Sequence, residues 1–485
     1  MHWSQSAIFY HIYPLGFCGA PLINDNEEQQ RLLKLKEWIP HLLESGVNAL
    51  YLGPVFESSE HGYDTRDYFK IDQRLGSNES FKDICDALHS AEIRVVLDGV
   101  FNHVGREFWA FKDVQEKKWD SPYCDWFMNL NFDGNSPYND GFWYEGWSGH
   151  YNLVKLNLRN PQVGDMIIKA IHSWMDDYHI DGLRLDAADV MDKDFFKRLR
   201  HECKLKDPDF WLMGEVIHGD YKLWINDQML DSTTNYEVYK GLYSSHNDAN
   251  YFEIAHSLSR QFAQGGIYHN LSLYNFVDNH DVNRLASTLR DEKDRMNVYT
   301  LLFTIPGIPS IYYGSEVGIT GVKSHGSDVG LRPCLELSDV SSNELMQHIH
   351  TLSKIKQALP GLQSLEYEQI CVRNKQFVFK RADVYVALNL DNEFAECSFN
   401  LDYNLKDCLS EQVFASMNNH VTLNIKPKSA MILVRDDNSS VVDEVKPEVC
   451  YTLLEEIEGF NAKRYYVYED NNKKKYISET RIEQK

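Results

Sequence analysis

Positive charge is in short supply in this chain of 485 residues: 49 Lys and Arg stand against 72 Asp and Glu, a formal net charge of −23. Such a field repels phosphate backbones, and no basic stripe interrupts it, so nucleic acid is excluded as a partner. The one lysine run, Lys473 to Lys475, follows Asp470, Asn471 and Asn472 and reads as a solvated hairpin turn. Long apolar runs are missing too. No window approaches 18 apolar residues, which excludes a membrane-spanning helix. The opening MHWSQSAIFYHIYP has neither a basic start nor an apolar stretch, so no targeting signal is expected. The nine cysteines are odd in number and form no CxxC pair, which reads as reduced thiols in a cytoplasmic protein without a zinc site. No GxGxxG follows a strand, against nicotinamide and flavin enzymes, and no HxxxH ligand pair is present, against a helical metal hydrolase.

Hydrophobic residues at 43% and charged residues at 25% fit a folded globular protein. Aromatics are plentiful at 13%, with 28 Tyr and 10 Trp. They can enlarge a core, and their faces also suit C–H-rich pyranose rings.

Through the first 360 residues short apolar strands alternate with amphipathic helices. Strand candidates are 7–13, 47–52, 93–98, 182–186, 210–215, 230–235, 272–278 and 310–313. Helix candidates are 27–44, 79–90, 192–203, 251–264 and 293–304. The clearest helix starts at Pro161 behind an Asn160 N-cap and sets Val163, Ile167, Ala170, Ile171, Trp174 and Tyr178 on one face. Eight strands alternating with helices predict an α/β fold, a (β/α)8 TIM barrel, with a loop subdomain inserted after strand 3. From about residue 365 the pattern turns to strands alone, at 376–380, 384–390, 396–401, 421–425 and 431–434, which predicts a C-terminal all-β sandwich. The expected division is 1–102 and 159–360 for the barrel, 103–158 for the loop subdomain, 361–437 for the sandwich, and 438–485 for a linker and small β-rich tail. Strand candidates in that tail are 464–468 and 475–478.

Barrel enzymes carry catalytic groups at the C-terminal ends of their strands. Here Asp98 ends the third strand candidate, Asp186 the fourth and Glu215 the fifth, and the seventh runs into FVDNHD, which contains Asp281. A lone Asp at a strand end is more often a helix cap, and Asp98, followed by Gly99 and Asn102, reads as mostly structural. Several carboxylates at one mouth repel one another, a cost that makes sense where pKa values are tuned or a polyol is gripped. Glycoside hydrolysis needs such a set: one carboxylate at the anomeric carbon and one acid at the leaving oxygen.

In correct order and spacing, DGVFNH (98–103), GLRLDAADV (182–190), GEVIH (214–218) and FVDNHD (276–281) resemble the four signatures of the α-amylase family of glycoside hydrolases. YHIYPLGF (10–17), HGYDTRDYFKID (61–72) and GIPSIYYGSEVGIT (307–320) match as well, so the likeness covers about residues 7–435. The resemblance implies a retaining hydrolase of α-1,4-glucosidic bonds in maltooligosaccharides. Asp186 would be its nucleophile, Glu215 a general acid and base that must be protonated near neutral pH, and Asp281 the stabiliser of the transition state. Arg184 would keep the nucleophile ionised. His103 and His280 would donate to hydroxyls of the cleaved sugar, Tyr63 would stack on it, and Asp64 would line the same subsite. Arg332 would pair with Asp64 or another wall residue. No cofactor is implied.

The sequence also departs from the family pattern. Where members often carry Lys or Asn and then His after the nucleophile, this chain has Asp189 and Val190. That leaves a transglycosylase, or a sucrose- or trehalose-type enzyme, as the alternative. Lys155 in LVKLN stands where calcium-binding members have Asp, so no metal is expected; LVKLN resembles the neopullulanase and cyclomaltodextrinase branch. That branch usually carries an extra N-terminal β domain, which is not expected here, where the first barrel strand falls near residue 7. Oligomeric state stays open. Ala187 after the nucleophile favours α-1,4 links. Trp109, Trp119, Trp126, Trp143 and Trp147 supply either sugar-stacking surface or a local aromatic core. A non-catalytic relative should have lost one of the three carboxylates, and all are present.

Overall fold

The computed structural model describes residues 2–324, 326–436, 452–458, 464–470 and 473–478. Eight short parallel strands form its centre: β1 (Phe9–Ile12), β2 (Ala49–Leu52), β3 (Arg94–Gly99), β4 (Gly182–Leu185), β5 (Trp211–Gly214), β6 (Ser232–Thr233), β7 (Tyr274–Phe276) and β8 (Ile308–Tyr312). They pair in the order β6-β5-β4-β3-β2-β1-β8-β7, and a parallel bridge between Thr234 and Tyr274 closes the ring. This is the expected TIM barrel, and each predicted strand falls on one of the eight.

Alternation along the strands builds two layers inside the barrel. Side chains two apart share a face, so the inward set that begins with Phe9, Val96 and Trp211 continues upward as His11, Asp98 and Glu215. The lower layer is a dry aromatic plug in which Phe9 lies 5.2 Å from Trp211 and 5.4 Å from Tyr274, ring centre to ring centre. The upper layer is polar. The barrel floor is therefore packed, and the chemistry sits at its C-terminal mouth.

The helices follow from caps and apolar stripes. Asn160 caps Pro161–Asp177 by accepting from the Gln162 amide, and Trp174 on its buried face stacks on Phe56 at 4.0 Å. The helix expected over 27–44 breaks up. Its first part is a 3-10 helix (Arg31–Trp38), and only Ile39–Glu44 is α-helical, with Pro40 setting the first turn. Between β3 and β4 lies a small antiparallel sheet of His103–Gly105, His150–Lys155 and Gly146–Trp147, with the helix Trp109–Lys117 beside it.

After the helix Glu344–Ala358 the chain forms a six-stranded and a three-stranded antiparallel sheet. Val378, Ala387, Leu423 and Leu433 fill the space between the sheets. The opposite face of the larger sheet, with Phe377, Phe379, Val386 and Leu388, joins the core of the barrel helices. Three further strands, Thr452–Glu458, Arg464–Asp470 and Lys473–Ser478, form another antiparallel sheet. Lys473 to Lys475 are thus strand residues and not the turn expected for them. The linker expected from residue 438 lies outside the described residues. The eight described cysteines are free. No described helix is long and apolar enough to cross a membrane.

Candidate active site

Arg184 is the hub of the polar layer. Opposite Asp98 in the β3–β4 register, it donates from one terminal nitrogen to Asp98 (2.9 Å) and Asp186 (2.9 Å), and its other terminal nitrogen forms an ion pair with Glu215 Oε1 (2.8 Å). Asp98 is fixed in turn by the hydroxyls of Tyr51 (2.8 Å) and Tyr63 (3.1 Å). Three carboxylates therefore share one guanidinium. Burial, opposed by Arg184 but reinforced by the charges of Glu215, Asp98 and Asp281, raises the Asp186 carboxyl well above its ordinary range. Just after it, Ala187 is forced into the left-handed region (φ 48°), and its amide donates to Glu215 Oε2 at 3.1 Å. A Cβ-bearing residue in that conformation stores strain, here spent on holding Glu215 beside Asp186.

Asp281 sits on the opposite wall. Its carboxylate accepts from Arg332 (2.8 Å) and lies 2.9 Å from His280 Nε2. Burial favours its neutral form, but the His280 imidazole and the Arg332 guanidinium outweigh this and hold it below the ordinary range. Arg332 also donates to the His280 carbonyl (3.0 Å), pairs with Asp328 (3.2 Å), and lies over the Tyr13 ring at 4.5 Å. Of the alternatives expected for Arg332, Asp64 or another wall residue, it takes the second, pairing with Asp281 and Asp328. Tyr63 and His280 lie face to face at 5.6 Å, and the Tyr63 hydroxyl bonds His280 Nε2.

His103 and Asp64 line the remaining side. His103 Nε2 is 3.8 Å from Asp186 Oδ2, and burial, with the neighbouring His61, lowers its pKa to about 3, so the ring is neutral. Asp64 is pushed up to about 6 by burial. Four buried polar atoms here have no hydrogen-bond partner: His11 Nε2, His103 Nε2, His280 Nδ1 and Asp64 Oδ1. Unpaired buried polar atoms are costly, and four around one carboxylate cluster mark a site open to a ligand's polar groups.

All nine residues selected from sequence therefore meet around the barrel mouth. Asn102 bonds His103 (3.2 Å), and the Lys155 ammonium lies 2.7 Å from Glu145. Of the five tryptophans, Trp126 is buried, Trp119 is exposed, and Trp147 sits 5.4 Å from the His103 ring. Sequence reasoning missed Tyr51, Tyr13 and Tyr236, whose hydroxyl is 3.4 Å from Glu215 Oε1 and accepts from Asn279 at 3.4 Å. Tyr13 was within reach, since it belongs to the YHIYP motif. Tyr236 carries no local signal beyond following the helix cap Asn235.

Comparison with known proteins places this geometry. The α-amylase catalytic-domain model matches residues 31–361. A Bacillus cyclomaltodextrinase is 31% identical over 419 residues, covering 80% of this chain and 73% of the relative. The intracellular maltogenic amylase of Bacillus subtilis is 28% identical over 466 residues, covering 89% of this chain and 76% of that one. The crystal structure of the Nostoc punctiforme debranching enzyme superposes with a TM-score of 0.75 at 27% identity, over 89% of this chain and 98% of that one. With its barrel, its shared carboxylates and its matched catalytic domain, the chain belongs to the α-amylase family of glycoside hydrolases.

Proposed function

We propose that this protein hydrolyses α-1,4-glucosidic bonds of maltooligosaccharides with retention of configuration. One observation carries the reading: Asp186 and Glu215 bind neighbouring nitrogens of the same Arg184 guanidinium, within a ring of unpaired polar atoms. Sharing one guanidinium keeps the two carboxyls close. That favours direct attack by Asp186 over the wider gap of roughly 6.5–9.5 Å that admits a water in inverting enzymes.

In this reading the two carboxyls divide the work. Asp186 attacks the anomeric carbon, the bond from that carbon to the glycosidic oxygen breaks, and Glu215 gives its proton to the departing oxygen. Water then attacks the same carbon, Glu215 takes the water's proton, and Asp186 is released as carboxylate. His103, His280, Asp64 and Asp281 grip the hydroxyls of the cleaved sugar, with Tyr63 beside them, and Arg332 positions Asp281. The free thiols and the intracellular name of the B. subtilis relative support a cytoplasmic setting.

Asp189 favours a second reading, transfer to a sugar acceptor. It is half-buried on the leaving-group side against the Ile217 amide, and its neighbour Val190 is exposed. A product time course with maltoheptaose, sucrose and trehalose separates the two. Shorter maltooligosaccharides from wild type, and none from Glu215→Gln, support hydrolysis. Products longer than the input move the reading to transfer, and turnover of sucrose or trehalose alone makes it a disaccharide enzyme.

A further inference from the structure

The turn in the loop subdomain that ends at Trp147 is built with unusual care for a surface feature. Trp147 and His150 are cross-strand partners on either side of a two-residue turn, Ser148–Gly149. Both turn residues have positive φ, 49° and 83°, the twist that holds a tight hairpin. Gly146 is obligatory, because a Cβ there would lie 2.5 Å from the His150 carbonyl oxygen. Behind it Glu145 is fixed by Lys155 (2.7 Å) and Asn129 (2.6 Å). The hairpin is thus rigid, and it presents two rings: Trp147, half-buried, and His150, exposed, which stack at 6.0 Å and 24°.

These rings continue directly from the catalytic centre. Trp147 lies 5.4 Å from His103, whose unpaired Nε2 faces Asp186 Oδ2. Glu215 meets Asp186 on the other side, through Arg184 and Asp186 Oδ1. Asp186 therefore stands between the leaving-group side and the Trp147 side. A broad aromatic face held rigid beside the His103 ring suits the C–H face of a pyranose and costs little ordering entropy on binding.

We propose that Trp147 and His150 form a stacking platform for a second glucose unit, the one on the non-reducing side of the cleaved sugar. This rests on the hydrolase reading above. The platform makes the enzyme prefer substrates with at least two sugars before the scissile bond.

The test compares release of p-nitrophenol from p-nitrophenyl α-maltoside and p-nitrophenyl α-glucoside by wild type, Trp147→Ala and Trp147→Phe. Trp119→Ala, at an exposed tryptophan of the same subdomain that packs on Phe132 and, among the described residues, has no ring contact with the site, is the control. The expected result is a loss of about tenfold in kcat/KM on the maltoside for Trp147→Ala, a loss no greater than about twofold on the glucoside, and partial recovery in Trp147→Phe. Trp119→Ala should match wild type on both. Equal loss on both substrates means that Trp147 is merely structural, and no loss on either means that no sugar rests there; each overturns the proposal. Loss on maltohexaose without loss on the maltoside would overturn the side assigned. A wild type inactive on every α-glucoside would instead overturn the hydrolase reading itself, and the platform with it.

Discussion

Single residues set the pH behaviour of the site. In the proposed mechanism Asp186 must be ionised to attack, and its carboxyl is raised by burial and by neighbouring carboxylates. The rate should therefore fall as pH drops, along an acid limb lying above the ordinary carboxylate range. Asp98→Asn removes one of the like charges that raise Asp186, so the acid limb of kcat/KM should move to lower pH, which a pH–rate profile reads directly. An unmoved or raised limb would contradict the assignment. For Glu215→Gln the expected loss in kcat is roughly 10²- to 10⁴-fold on maltooligosaccharides. The loss should be far smaller in the first, bond-breaking step of an aryl α-glucoside whose leaving group needs no proton, seen as a burst of released phenol. These residues were legible in the sequence because strand ends and short motifs hold them. The partners of Arg332 were not, since they depend on where a long loop from residue 313 onward returns to the barrel.

At the scale of elements, turns and caps carry the precision. A Cβ on Gly105 would lie 2.4 Å from the Asp64 carbonyl oxygen, so Gly105→Ala must displace the backbone that aims Asp64 into the site. Because misplacements near 1 Å cost up to about a hundredfold, kcat/KM should fall at least about tenfold in steady-state assays. Asn160→Ala removes the cap from Pro161–Asp177 and should cost about 1 kcal/mol, read as a lower urea midpoint. Period and length signalled the barrel strands well, even β6, only two residues long, since a carboxylate or turn residue punctuates each. The 27–44 helix failed because Pro40, late in the apolar pattern, allows an α-helix to start there but not to run through. The hairpin carrying Trp147 was hidden, because tertiary pairing with His103–Gly105, not local propensity, sets its place.

Across the whole molecule, the barrel and the C-terminal sheets are joined by buried cations. Lys356 donates to the carbonyls of Phe303 (3.3 Å) and Leu362 (3.1 Å) and pairs with no carboxylate among the described residues, while Arg381 caps the carbonyls of Thr304, Ser364 and Glu366. Burial, with Arg381 adding repulsion, lowers the Lys356 pKa to about 7. The unfolded chain holds this proton up to about pH 10.4, so the folded state binds fewer protons between those values and stability should rise with pH across that window. Chemical unfolding of Lys356→Met at pH 7 and 9.5 should show this part of the slope gone, with the variant gaining most at pH 7. A variant destabilised equally at both would mean that the hydrogen bonds outweigh the buried charge. Composition hinted at none of this, since a lysine in an amphipathic helix reads as a solvated one.

The central claim is that Asp186 forms a covalent bond to the sugar while Glu215 works as acid and base. The most direct test is to incubate Glu215→Gln with α-maltosyl fluoride, whose fluoride leaves without a proton, and to follow intact and peptide masses. The first step should run and the second stall. The account predicts an adduct of one maltosyl unit, mapped to the peptide bearing Asp186 and absent in the double variant with Asp186→Asn. Release of free sugar in the inverted configuration with no adduct, or an adduct on another carboxylate, would contradict it.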